Sequence, residues 1–259
     1  MTQQLSTTRG DVLLMVGTRK GAFILCSDAS RRHWEMSGPH SPGADVFHMT
    51  YDGRNGGRVF SAINHMIWGP QIEFSDDLGK NWASPEAQPR FTDAGDLTVK
   101  RLWHIEFGLA SEPTTLYAGV EPAALFKSED AGVTWNELAA LRSHPSNSAW
   151  QPGLGGLCLH SIVPHPSNPD TMWVGISAVG VFGTEDGGKT WQTMNQGVRA
   201  DFLPDPLPDF GQCPHKVLMH ESKPETLFQQ NHCGVYRSDS GASCGKTSLR
   251  GYRQDSGSC

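Results

Sequence analysis

The chain lacks the features that mark several large classes of protein. No cluster of lysine or arginine stands out, and with 21 basic against 27 acidic residues the net charge of -6 provides no field for phosphates. Nucleic acid is therefore not an expected partner. The apolar run after the polar segment Met1 to Gly10, "VLLMVG", is too short for a membrane span or the core of a secretion signal, so no membrane partner is expected and the cytoplasm is the expected compartment. Without such a signal, the six cysteines (26, 158, 213, 233, 244 and 259) read as reduced thiols and not as a disulfide framework. Compact zinc spacing such as paired CxxC is missing, helical periodicity is not sustained anywhere, and tyrosine occurs only four times.

What is present is a repeat. "SDDLGKNW" (Ser75 to Trp82), "SEDAGVTW" (Ser128 to Trp135) and "TEDGGKTW" (Thr184 to Trp191) are versions of one motif, and weaker versions begin at Ser27 and Ser238. The starts at 27, 75, 128, 184 and 238 imply one structural unit per interval. Within each unit an apolar run ("VFHMTYD", "LWHIEFG", "CLHSIVPHP", "CPHKVLMHE") follows a long loop. A Pro/Asn/Gly-rich turn comes next, then two further β-like runs, and the motif leads into a fourth run at its tryptophan. Four short strands per unit of ~50 residues predict an all-β protein, a propeller of four-stranded antiparallel blades.

The motif Ser/Thr-x-Asp-x-Gly-x-Thr-Trp is the Asp box, and residues 11 to 239 resemble the BNR/Asp-box β-propeller superfamily, which includes sialidases, sortilin-type receptors and assembly factors. The chain looks closest to a bacterial intracellular BNR-repeat subgroup often labelled glycosyl hydrolase or exo-sialidase, a label with little functional weight because propellers host many activities. The resemblance implies a single propeller over 1–239, with five blades present of a parent of seven and boxes as C–D turns. The fifth box breaks after Asp239, so residues 240–259 read as an aberrant, disordered tail without a fourth strand, as in a truncated or frameshifted parent. A closed five-bladed ring with "KTSLRGYR" as a makeshift strand is the alternative.

Repetition also decides what the boxes are for. Asp77, Asp130 and Asp186 recur in every unit, whereas chemistry needs one site. Their expected role, with Gly79, Gly132 and Gly188 and with Trp82, Trp135 and Trp191, is to cap backbone amides of a turn, supply φ > 0 and pack beneath the hairpin. As C–D turns they lie on the face opposite the long D–A loops (35–45, 83–101, 136–156 and 192–212), where a site would be built.

On that face the start of the innermost strand carries His48, His104, His160 and His215, which predicts a ring of imidazoles at a channel mouth. Arg19, Asn64, Glu121, Asn231 and His232 come from B–C turns of the same face, and Cys158 and Cys213 precede two of the histidines at i-2. Three readings stay open. The histidines bond the backbone of a neighbouring unit; or they bind a small polar ligand, glycan or protein partner; or His104, His160 and His215 with Cys158 or Cys213 hold a divalent metal. The segment "RADFLPDPLPDFGQCPH" (Arg199 to His215) is expected to be an extended, proline-stiffened loop presenting Asp201, Asp205 and Asp209.

A retaining sialidase is implied by the resemblance only if an arginine cluster and a tyrosine nucleophile are found. The N-terminal arginine motif is absent, and Tyr51, Tyr117 and Tyr236 fall inside strands, which disfavours that chemistry. A two-carboxylate glycosidase would pair Glu121 with Asp201 or Asp205.

Overall fold

In a computed structural model, the described residues are 5, 7–54, 56–92, 95–220, 222–240 and 250–252. They form five antiparallel sheets in chain order. The first contains Val12–Thr18, Gly21–Ser27 and Glu35–His40; the second contains Ala44–Asp52, Arg58–His65 and Gly69–Ser75. The third contains Arg101–Phe107, Leu116–Glu121, Ala124–Ser128 and Asn136–Glu137; the fourth contains Leu159–Pro164, Met172–Ile176, Gly180–Thr184 and Gln192–Thr193. The fifth contains Pro214–His220, Lys223–Asn231, Gly234–Ser238 and Arg250–Tyr252. Among the described residues no helix is long and apolar enough to cross a membrane.

The strand runs read from the sequence fall on these elements, with three corrections. Residues 35–40 are a strand, not loop, so the first long connection shrinks to 41–43. A fourth strand does follow Asp239: Arg250–Tyr252 pairs with Val235, Tyr236 and Arg237, within the "KTSLRGYR" stretch. The rest of the expected tail lies outside the described residues. The loop before the fifth sheet is not extended, because Ala200 N–H donates to Pro206 O at 2.9 Å and Leu203 N–H to Ala200 O at 2.8 Å, folding the proline-rich segment back on itself.

The core is divided among the gaps between consecutive sheets. Phe60, Leu102, Ile105 and Phe126 fill the gap between the second and third sheets; Leu125, Leu159, Val174 and Phe182 that between the third and fourth; Trp173, Val181, Val217 and Leu227 that between the fourth and fifth. A strand flanked on both sides is buried on both faces, which is why Met172–Ile176 and Gly180–Thr184 are unbroken apolar or small runs. The gaps are narrow. A Cβ on Gly119 would overlap the carbonyl of Leu159 on the next sheet, and one on Gly17 would sit 2.5 Å from Val46 O.

The three complete motifs form matching turns at the end of the third strand of a sheet. In each, the Ser/Thr hydroxyl at the start accepts the glycine N–H: Ser75 from Gly79 at 2.7 Å, Ser128 from Gly132 at 2.9 Å and Thr184 from Gly188 at 2.9 Å. The Asp carboxylate accepts the N–H four residues on, at 2.9 Å in all three. The glycines have φ of 88°, 89° and 87°, a left-handed conformation that disfavours a side chain. The indole N–H of Trp82, Trp135 and Trp191 returns to the glycine carbonyl. The backbone bond at Asn81 and the hydroxyl bond from Thr190, respectively, lead in holding Asp77 and Asp186 down at about 2. These carboxylates are fixed anions spent on their own turns.

Candidate functional site

The innermost strands of the second to fifth sheets each carry a β-bulge one residue wide, falling between Val46 and His48, Leu102 and His104, Leu159 and Ser161, and Pro214 and Lys216. The bulged residues are thus Phe47, Trp103, His160 and His215, and the residues after them His48, His104, Ser161 and Lys216. The four histidines are equally spaced in sequence yet occupy two different positions in the fold. The ring of four equivalent imidazoles is therefore corrected to two classes, since a one-residue shift of the bulge redirects the side chain.

The rings of His48 and His104 meet at a tilt of 42° with their centres 4.1 Å apart. His48 Nδ1 accepts the N–H of Ile105 from the third sheet at 3.3 Å, and His104 Nε2 lies 3.3 Å from Glu106. His160 Nε2 donates to Pro214 O in the fifth sheet at 2.9 Å. On its other side the Ser161 hydroxyl takes the Val217 N–H at 3.3 Å and lies 3.1 Å from His160 Nδ1. Both nitrogens of His160 are engaged in tying the fourth sheet to the fifth. Burial, reinforced by the charges of His104 and Lys216, pushes His48 down to about 3. Burial likewise takes His160 down to about 4 against the opposing Pro214 bond. His48 and His160 are neutral inter-sheet struts.

His215 belongs to a different environment. It is exposed, with Nδ1 3.1 Å from Gln230 Oε1 and Nε2 3.2 Å from His232 Nε2; the two rings meet edge to face at 4.4 Å. His232 also packs edge-on against Phe202 at 5.8 Å. Together with Cys213, whose Sγ is 3.8 Å from Ser177 Oγ, they line a cavity of about 660 Å³. Gly153, Leu154, Gly155, Ala178 and Phe202 supply its remaining walls. Apart from His215, at the start of an innermost strand, every wall comes from a loop entering such a strand or from a turn between the second and third strands, on the face opposite the motif turns.

The walls are held by side chains buried in the loops. Asn231 donates to Arg199 O at 3.1 Å and accepts Cys233 N–H at 2.8 Å, which fixes both the 199–212 loop and the turn that carries His232. Asn195 bridges Val181 N–H and Asp209 O, and Gln212 donates to Val198 O and Pro208 O.

No protein-family model matches the chain, and no curated protein sequence matches it. Solved structures do match. A GH74 xyloglucanase from Xanthomonas campestris superposes with a TM-score of 0.54 at 14% identity, over 93% of this chain and 43% of that one. A GH74 enzyme from Niastella koreensis gives 0.52 at 20% identity over 93% and 33%, and an ancestral GH74 enzyme 0.53 at 17% over 76% and 23%. The fold is a β-propeller. At these identities the likeness is one of fold, and the chain spans less than half the length of each of these enzymes.

On this propeller the residues singled out from the sequence disperse. Glu121 is buried, and its Oε2 accepts Arg101 Nη1 at 2.8 Å and the Trp103 indole at 3.3 Å. Asp201 pairs with Arg199 at 2.7 Å, and Asp205 caps Leu207 N–H at 2.9 Å. Each expected carboxylate is thus engaged locally. Cys158 is buried, and burial with the nearby charge of Glu121 pushes its thiol up to about 12. Arg19 is exposed at a turn, and Asn64 is half-buried opposite Asp45. The fold brings together Cys213, His215 and His232 from the sequence candidates and leaves His104 and His160 outside that trio, with Cys158 buried behind it beside Ser177. Sequence reading missed Phe202 and Leu154, whose signal was an apolar residue standing in a polar loop, 54% and 112% exposed. It also missed Met66, Ile67 and Trp68, exposed on the second sheet's turn of the same face.

Proposed function

We propose that this chain is an Asp-box (BNR-repeat) propeller of the cytoplasm that binds a small polar ligand in the cavity walled by Leu154, Phe202, Cys213, His215 and His232. The observation that carries the reading is the cavity itself: an apolar rim around a few convergent polar groups is the usual composition of a small-molecule site. Its place supports it, because loops held by Asn195, Gln212 and Asn231 on a rigid scaffold are where binding groups are positioned. The motif turns are the weaker place for a site, since their carboxylates are engaged by backbone amides.

The test is a fragment screen by protein-observed NMR, repeated on Phe202→Ala and Leu154→Ser. Binders that shift the resonances of the wall residues and are lost in both variants support the reading. Binders indifferent to both substitutions refute it, as does an empty screen. The same protein is offered a panel of glycosides: turnover abolished by Glu121→Gln and Asp201→Asn replaces binding with hydrolysis.

A further inference from the structure

We infer that Cys213, His215 and His232 form a three-ligand zinc site whose fourth coordination position opens into the cavity. The inference rests on the cavity being the binding site and names what would hold the ligand there. Sγ of Cys213 and one ring nitrogen each of His215 and His232 all lie within 4.8 Å of one another. Tetrahedral zinc with ordinary Zn–N and Zn–S lengths sets N···N at about 3.4 Å and N···S at about 3.6 Å. The two imidazole nitrogens already stand 3.2 Å apart. Rotation of the Cys213 side chain has at most about 1.2 Å to close.

The hydrogen bonds hold His215 in the tautomer a metal ligand needs. The Gln230 amide donates through Nε2 to Asn231 O at 2.8 Å, which turns its oxygen toward His215 Nδ1. That oxygen only accepts, so Nδ1 carries the proton and the lone pair of His215 Nε2 accepts the His232 Nε2 proton, which moves to His232 Nδ1 when a metal enters. Orienting a ligating imidazole through its other nitrogen is the usual outer support of a metal ligand. Two imidazoles and a thiolate suit zinc better than magnesium or calcium, which prefer oxygen. Binding displaces the Cys213 proton to solvent and leaves a net charge of +1 on the centre. A monoanionic oxygen donor such as a carboxylate would balance that charge from the cavity side. The apolar walls of Leu154 and Phe202 would take the rest of such a ligand.

Cobalt serves as the spectroscopic probe. Metal-stripped full-length protein titrated with Co²⁺ is expected to bind one equivalent, with the visible bands of a tetrahedral ion and a thiolate-to-cobalt absorption, both displaced by Zn²⁺. Cys213→Ser removes the thiolate absorption, His232→Ala removes stoichiometric binding, and Gln230→Leu weakens it by about 10–100-fold. Cys158→Ala leaves the thiolate absorption in place. Melting curves of His232→Ala and Gln230→Leu, both altered near the surface, check that the fold persists. An octahedral spectrum, or a thiolate band that survives Cys213→Ser, overturns the site. If fragments bind the cavity equally with and without chelator, the metal inference fails and the cavity stands. If cobalt binds as described while the fragment screen is empty, the cavity reading fails and the metal stands.

Discussion

Replacing Thr184 by valine tests whether the repeated motif is a structural clasp. Thr184 is 3% exposed; its Oγ1 accepts Gly188 N–H at 2.9 Å and donates to Asp186 at 2.8 Å. Valine keeps the shape and removes both bonds, together with a longer one that Oγ1 accepts from Asp186 N–H at 3.4 Å. Asp186 retains Thr190 and Lys189 as donors and is half-exposed, so its loss is small. The Gly188 N–H is buried and has no replacement, and leaving such a donor unsatisfied costs about 1–3 kcal/mol. For a domain of this size each kcal/mol lowers Tm by about 2–4 °C, so a fall of about 5 °C is expected by calorimetry. Amide exchange at Gly188 should accelerate, because the bond that protected it is gone. Fragment binding on the opposite face should be unchanged. A variant that melts within about 1 °C of the parent, with Gly188 exchange unaltered, refutes the clasp.

Other expectations rest on the same contacts. Gly119→Ala forces a methyl into the Leu159 carbonyl and is expected to cost about 1–3 kcal/mol or more in urea unfolding; a neutral result means the sheets pack less closely than described. His48 stays neutral in the folded protein down to about pH 3, facing His104 and Lys216, whereas in the unfolded chain it takes up a proton near pH 6.5. Its contribution is therefore complete above pH 6.5 and is lost as the pH falls toward 3, amounting to about 2 kcal/mol by pH 5. Urea midpoints between pH 7.5 and 5 should show this fall together with that of His160, and His48→Gln should remove the His48 share and leave the His160 share; parallel curves for the two proteins contradict the assignment. Glu121→Gln weakens the bonds from Arg101 and Trp103 and should lower the unfolding free energy in urea by about 1–3 kcal/mol. Glycosidase activity that disappears with this change would make Glu121 catalytic and not supportive.

The sequence by itself determined the repeat, the strand order within each unit and the two faces. It could do so because turn chemistry and strand patterning are local: a Ser/Thr, an Asp and a Gly at fixed offsets close one turn whatever surrounds them. From strand order alone, Glu121, Ser177 and His232 belong to one face and Asp186 to the other. What only the tertiary structure decided was which histidines matter together. Equal spacing put His48, His104, His160 and His215 in one class, but a bulge is set by how an innermost strand seats against the next sheet, and it falls before His48 and His104 and on His160 and His215. The bulge sets His160 and His215 apart from His48 and His104, and the neighbouring sheet then separates those two: His160 is tied to Pro214 of the fifth sheet, whereas His215, on that fifth sheet, faces His232 of its own sheet's turn. Phe202 and Leu154 were equally out of reach, since a loop's course depends on distant carbonyls gripped by Asn195, Gln212 and Asn231. Local offsets fix turns, and long-range packing fixes sites.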